Sequence, residues 1–514
     1  VNTPMAQSEK PGLFVRESTG LVKNVSFFDA LSINVSYMSI GAALGLIGVT
    51  MASLPTVSGV NLIVASATTF LMIVPMMVVY TMMSRRISRT GGDYVWLSRS
   101  LGGFIGSTVT FTGMTFETMP YLALIALSLV FAIGSVGVLL GEHALQPLAT
   151  GSSPLGVFAI AEAVFGGIVA LNVFKPNWGY RLISATMVAG LITLILGVGV
   201  LLASGRAGFQ HYIDSLGAPG VSYSGLVSTY KGPTFNFWNT LLVVPFFALF
   251  SYPWFNASPS IGSELKGKNA VRWAVPVSAL FGFVVMTAPL AAMYYAGGFR
   301  AVSAALSNPT LVYTYSFNFW TLAMGVSGST VLRLVIGLGW IVWTLAILEF
   351  GVILISRYLL AQAFDRTLPA SFAYVSPRYG SPVVAHLVDF VVTSALIGAA
   401  SYFYGRVSSL YGAVLASMVY FAFVGAGAVV YALRKEKGGA KATLAVAGTL
   451  MAAVFIFISY EFLAYPTVWG GNPLAYGYIA GSLIAGSVIY IATRLHYKSI
   501  GLDIRRVFEE IPPE

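Results

Sequence analysis

A chain of 514 residues with 57% hydrophobic and only 9% charged residues, at a mean hydropathy of +0.81, lies far from the roughly one-quarter charged content of a water-soluble domain. It reads as an integral membrane protein. The lack of cysteine excludes disulfides, thiolate chemistry and cysteine-based metal sites, and the net charge of +10 is placed so as to orient the chain, not to bind nucleic acid.

In chain order, residues 1–26 are polar and mixed in charge, without the apolar core of a signal peptide, and are expected to be a cytoplasmic tail. Apolar runs of the ~20 residues needed to cross a bilayer begin near Phe28, Asn61, Gly103, Pro154, Tyr180, Phe235, Ala270, Thr330, Pro382, Ser408, Thr443 and Tyr476, which predicts twelve transmembrane helices. Of the 28 Lys and Arg residues, 23 fall in the N-tail and alternate loops, and only Arg206, Lys231, Arg300, Arg333 and Arg406 on the other side. By the positive-inside rule both termini are then cytoplasmic, as an even number of spans requires. Basic pairs such as Arg85-Arg86 could also meet anionic lipid headgroups.

Two spans are expected to be interrupted at membrane depth, the first at Ser39-Ile40-Gly41-Ala42-Ala43-Leu44-Gly45 and the sixth at Ser251-Tyr252-Pro253-Trp254. Five spans separate their starts, so the second unit enters the bilayer from the opposite face, as in an inverted-topology repeat. The expected organisation is a first repeat over 27–206 (helices 1–5), an outer loop over 207–234, a second repeat over 235–433 (helices 6–10), a peripheral pair of helices over 434–498 and a cytoplasmic tail over 499–514. The long connections at 205–234 and 297–329 are rich in aromatic residues and are expected to be ordered lids on the outer mouth.

Backbone groups freed at a break cannot be satisfied by lipid and must face protein or a solvated cavity. The amino end of a half-helix offers N–H groups and partial positive charge to a carboxylate, and the carboxyl end of the other offers carbonyls to an ammonium. The pair suits a zwitterion. The amides of Ala42, Ala43, Leu44 and Gly45 are expected to take the carboxylate, and the carbonyls of Ile40, Phe247, Ala248 and Phe250 the amine. Gly41, Ser251 and Tyr252 complete the set, with Phe247 and Tyr252 closing one side. The competing reading of Gly41 and Gly45 is close helix packing by small residues four apart.

Four stretches in order resemble the amino acid/polyamine/organocation permeases. They are Ile40-Gly41-Ala42-Ala43-Leu44; Ile87 to Trp96 with Gly91-Gly92-Asp93-Tyr94; Phe246 to Tyr252 running on to Glu264 and Lys268-Asn269; and Ser356 to Pro369 with Arg357, Ala363 and Asp365. The resemblance covers about residues 30–500. It implies an all-α integral membrane protein with a LeuT-like 5+5 inverted repeat and discontinuous helices 1 and 6, carrying an amino acid across the cytoplasmic membrane as a monomer or homodimer. Ala43 stands where the family has a second glycine, Ser251 where it has glycine, and Glu264 alone where it has paired glutamates.

Glu117, Glu162, Glu349, Asp389 and Glu461 fall within predicted spans, and ionisable residues there are functional candidates. Glu117 and Glu349, on the third and eighth helices, are the expected proton-coupling residues, against a packing role for each. Asp389, near a cytoplasmic end, is assigned to solvent. The fifth span lacks the lysine that some proton-coupled relatives carry, which leaves a carboxylate relay, sodium, or exchange of amino acids or polyamines without an ion. No enzyme, metal or cofactor signature is found: His143, His211, His386 and His496 lack catalytic or ligand spacing. A channel or receptor is the remaining class, disfavoured by the missing filter repeat. Aromatic residues around the sixth-helix break favour a neutral or hydrophobic side chain on the substrate.

Overall fold

The computed structural model describes residues 12–15, 21, 23–404 and 407–513; Lys10, Arg16 and Arg406, counted above in the charge asymmetry, lie outside the described residues. Helix starts follow the local chemistry. A Ser26–Asp29 capping box opens the first span at Phe27, and Asn61 and Ser329 cap the second and eighth by accepting backbone N–H bonds. Ser153 followed by Pro154 opens the fourth.

Among the described residues, twelve helical segments are long and apolar enough to span: Phe27–Ser53, Leu62–Arg86, Gly103–Leu139, Pro154–Phe174, Pro176–Ser215, Phe237–Ser260, Lys268–Gly297, Thr330–Phe364, Val383–Phe403, Leu410–Lys435, Gly438–Ala464 and Pro473–Ser499. We call them spans 1 to 12. Each starts within a few residues of the position expected from sequence. The described residues contain isolated bridges but no strand.

Burial sorts the spans. Spans 1 and 6 are 89% buried and spans 3 and 8 are 78% buried over their apolar windows, whereas spans 4, 5, 11 and 12 are 22–33% buried. With exposed apolar residues such as Leu155, Ile195, Ile456 and Ile484, these outer spans are built for hydrocarbon, and the four buried ones can only form a protein interior. Spans 1, 2, 6 and 7 pack as one group and spans 3, 4, 8 and 9 as another; span 5 touches both, span 10 pairs with span 11, and span 12 lies against the start of span 3.

The long connections are structured. Span 5 continues past the non-helical Gly205 to Ser215, and Tyr223–Thr229 forms a further helix. Between spans 7 and 8 lie Phe299–Ser307 and Phe319–Gly325, the latter capped by Asn318. At the other face, which carries most of the basic residues, a short helix Asp93–Leu101 joins spans 2 and 3. Gly91 and Gly92 before it have φ of 85° and 39°, a region open to glycine. A side chain on Gly92 would meet the backbone of Pro259, and Gly91 N–H donates to the Ser260 carbonyl at 2.8 Å. The two glycines thus let this loop dock on the end of span 6. Both tails reach the same face: Arg366 donates to the carbonyls of Gly12 and Leu13, and Arg89 and Arg99 donate to those of Pro512 and Glu510.

Candidate functional site

Span 1 is cut between Tyr37 and Ile40. Ser39 sits at φ 49°, ψ 24°, left-handed for a non-glycine residue, a conformation that costs energy and clusters at functional positions. The cut lies one turn earlier than the glycines suggest. The Ala43 amide already donates to the Ser39 carbonyl at 2.9 Å, so the open first-turn amides are those of Ile40, Gly41 and Ala42, while Leu44 and Gly45 lie inside the second half-helix. Gly41 and Gly45 serve packing: a methyl group on either would overlap Trp343 or Trp340 of span 8. Trp320 Nε1 donates to the Gly41 carbonyl at 2.9 Å.

Span 6 is cut at Ser251 (φ −132°, ψ −84°), after which Tyr252–Asn256 continues as a 3₁₀ turn. Pro253 supplies no N–H there. The Phe247 carbonyl accepts the Ser251 amide at 3.0 Å and the Leu249 carbonyl accepts Trp254 Nε1 at 2.8 Å. Of the carbonyls expected to hold an amine, those of Ala248 and Phe250 lie where the non-helical Ser251 cuts the ladder and the Trp254 amide turns to the Ser251 carbonyl at 3.3 Å, and the Ser251 hydroxyl beside them is buried and, among the described residues, unpartnered.

Aromatic rings from all four buried spans meet beside the breaks. Tyr37 of span 1 packs edge-on against Trp254 of span 6 and Phe350 of span 8, each at 5.3 Å between centroids, and against Tyr121 of span 3 at 6.3 Å. Tyr121 stacks on Trp254 at 5.3 Å and hydrogen-bonds to Ser39. Such pairs contribute about 0.5–1.5 kcal/mol each beyond their buried area. This cluster closes the breaks toward the basic face. Phe247 and Tyr252 do something else: they stack on each other at 6.0 Å, Tyr252 packs on Phe70 and Phe283, and its hydroxyl meets Ser66. Both rings therefore face spans 2 and 7.

Below the cluster, toward the basic face, the turn that follows span 6 is tied to span 8 by charge. Arg357 Nε donates to Glu264 Oε1 at 2.8 Å and Arg357 Nη2 to Oε2 at 3.1 Å, with Tyr180 of span 5 donating to the same carboxylate at 2.9 Å. The pair is nearly fully buried, at 8% and 4% side-chain exposure. Arg357, counted as a loop residue above, lies inside span 8, which runs to Phe364. Thr90 meets Ser263, and Arg99 and Tyr94 both bond Asp365. On the opposite side a cavity of about 210 Å³ lies along the second half of span 1, lined by Leu46, Val49, Leu127, Phe131, Val312 and Tyr313.

The intramembrane acids are separated by their surroundings. Glu117 follows a π-helical turn, Phe111–Phe116, of the kind that marks functional sites; Ser417 of span 10 donates to one oxygen, and the other is buried without a partner among the described residues. Glu349 points away from the breaks toward spans 4 and 5, where Asn172 Nδ2 donates to it at 2.7 Å and the bare Gly179 leaves room for it. Asp389, assigned above to solvent, is buried at 0% exposure and accepts from Thr393 at 2.8 Å. Span 9 packs against span 3, which keeps water from it. Glu162 accepts from Ser394. Among the described residues no cluster of His, Asp and Glu could hold a metal ion.

Sequence reasoning singled out both breaks and missed Tyr37, Tyr121, Trp340 and Trp343. Aromatic residues spaced along an apolar helix look like core, and only the partner helices distinguish a gate from packing. No curated protein matches the chain. The amino acid permease family matches residues 26–493, from the cap of span 1 to the last turns of span 12. A match of that extent takes in both breaks, and the chain belongs to the amino acid permease family, the multi-pass membrane transporters of amino acids.

Proposed function

We propose that this protein imports an amino acid with a neutral side chain across the cytoplasmic membrane, coupled to protons, by alternating access between two inverted five-helix units, with both termini and the basic face in the cytoplasm. The carrying observation is the pair of facing breaks. Span 1 offers open amides at Ile40, Gly41 and Ala42, and span 6 offers open carbonyls at Ala248 and Phe250, complementary to the two ends of a zwitterion. Ser251 adds an unpartnered hydroxyl. The surrounding rings of Tyr37, Tyr121 and Trp254 disfavour a charged side chain, whose burial without a partner is costly.

On this reading the cytoplasmic side is shut by the aromatic cluster and the Arg357–Glu264 pair, and the 210 Å³ cavity belongs to the outer approach. Glu117 is the coupling carboxylate nearest the substrate, since it borders the Tyr37–Tyr121 cluster. Glu349 is a second, remote acid. Exchange without an ion is the second reading, favoured by the absence of lysine between Arg181 and Arg206.

The purified protein in liposomes tests this. Saturable counterflow of a labelled neutral amino acid, with accumulation when the outside is made acidic, is expected. Counterflow without pH-driven accumulation selects the exchanger, accumulation driven by a sodium gradient selects sodium, and an unsaturable current would mean a channel.

A further inference from the structure

Outside the substrate site, the short helix between spans 2 and 3 buries an acid that the transport reading does not use. Asp93 is 1% exposed. Tyr80 of span 2 donates its hydroxyl to one carboxylate oxygen and Tyr358 of span 8 donates to the other. The Tyr420 hydroxyl of span 10 and the Asn256 carboxamide, just past the span 6 break, stand close enough to bias its charge. Yet among the described residues neither makes a well-formed hydrogen bond, although both residues are fully buried.

No cation pairs with Asp93 among the described residues. Arg99, on the same helix, is committed to Asp365 and to the Phe508 ring, and Arg357 to Glu264. The ionisable neighbour on span 1 is Tyr37, within electrostatic reach of both Asp93 and Glu117, and its hydroxyl makes no well-formed hydrogen bond among the described residues. Burial pushes the Asp93 carboxyl above the ordinary aspartate range, against the four hydrogen-bonding groups that pull it down.

We propose that Asp93 is a proton-binding site on the cytoplasmic pathway, and that its charge state sets whether the cytoplasmic side is closed. The inference rests on the carrier reading for its orientation. An ionised carboxylate accepts from every donor around it, and charge-assisted bonds are about twice as strong as neutral ones. Once protonated, the group must donate one O–H and loses acceptor capacity. Tyr80 and Asn256 belong to the group of spans 1, 2, 6 and 7, and Tyr358 to the group of spans 3, 4, 8 and 9. The proton therefore loosens a knot between the two bodies that must separate. Water entering the opened side then favours the charged form, the proton leaves to the cytoplasm, and the carboxylate can retie the knot.

The chain has no cysteine, so a single thiol at Ser260→Cys, fully buried on the closed side, reports opening without a known substrate. Its reaction with a trimethylammonium thiosulfonate is followed in detergent between pH 8 and pH 5, normalised to the same thiol in denatured protein. At least a fivefold rise toward acid is expected. Asp93→Asn should label fast at both pH values, with a ratio near one, while Glu264→Gln should label faster throughout and keep the pH dependence. A parent without the rise, or an Asp93→Asn protein that retains it, overturns the proposal.

Should Asp93→Asn fail to fold, Tyr80→Phe decides. Removing one donor to the anion must move the labelling midpoint to higher pH, and an unmoved midpoint overturns the proposal. If labelling follows Asp93 while none of the twenty amino acids shows counterflow, the proton switch stands and the carrier reading fails. Counterflow with pH-independent labelling is the reverse.

Discussion

The two halves of this protein along the membrane normal are closed by different physics. Toward the basic face, the turn after span 6 is joined to span 8 by a buried bidentate ion pair, and the loop bearing Asp93 is joined to spans 2 and 8 by tyrosine hydroxyls. Toward the opposite face the first span borders a cavity whose walls are mostly Leu, Val and Phe, under a lid pinned by Asn318 and Trp320. Polar contacts are directional and can be switched by one proton; apolar walls are tolerant and slide. A carrier that must hold one side shut while the other admits solute gains from this asymmetry.

The sharpest way to break the comparison is Glu264→Ala. It strands Arg357 as a buried, unpaired charge, and breaking a buried pair from one side costs about 3–5 kcal/mol. A large fall in melting temperature and loss of substrate counterflow are expected. Replacing both partners, Glu264→Leu with Arg357→Leu, should recover much of the stability, because removing both charges also removes their desolvation cost. If the double variant melts as low as the single one, the pair is not what holds this half together.

Next in size is Glu349→Gln. Its carboxylate already accepts from Asn172, and glutamine can keep that bond, so the fold should be retained. Proton-driven accumulation is expected to vanish while exchange at equal pH remains. Full accumulation by the variant would remove Glu349 from the coupling path and leave Glu117, at the centre, as the acid to test.

A smaller effect probes the opposite half. Gly45→Ala places a methyl group into the Trp340 ring, and overpacking of this kind costs about 1–3 kcal/mol. Trp340→Phe in the same chain should restore the melting temperature. Failure of the smaller ring to compensate would mean that the glycine is needed for backbone geometry and not for space.

How far the sequence carries depends on the residue. Span positions were legible because about twenty apolar residues in a row admit only one solution in a bilayer, and Pro253 with Ser251 announced the sixth break. The first break was legible only approximately: the glycines Gly41 and Gly45 drew attention, but the left-handed residue is Ser39, and the glycines are small because Trp343 and Trp340 lie against them. That reason sits some 300 residues away. The same holds for Asp93, which in sequence is one polar residue after a glycine pair. Its meaning comes from hydroxyls delivered by spans 2 and 8, and single-chain periodicity carries no information on such partners. Asp389 shows the opposite error: nearness to a span end suggested water, and packing of span 9 on span 3 removed it.

The least effect is expected at the rim of the basic half, where Arg86 at the end of span 2 pairs with Glu436 between spans 10 and 11. The Arg86 guanidinium holds the Glu436 carboxyl below the ordinary glutamate range. The folded-state pKa is thus the lower of the two, so the contribution to stability is complete above the unfolded value and disappears as pH falls through the folded one. Both side chains are partly solvated, at 24% and 14% exposure, and screening limits such a pair to less than about 1 kcal/mol. Glu436→Gln should therefore shift the melting temperature slightly at pH 7 and progressively less as the pH falls below the ordinary glutamate range, and 0.5 M salt should erase the difference. The buried Arg357–Glu264 pair should resist the same salt, because water and ions do not reach it. If salt weakens both pairs alike, the interior of the basic half is wetter than its burial implies, and the contrast between a switched side and a sliding side loses its physical basis.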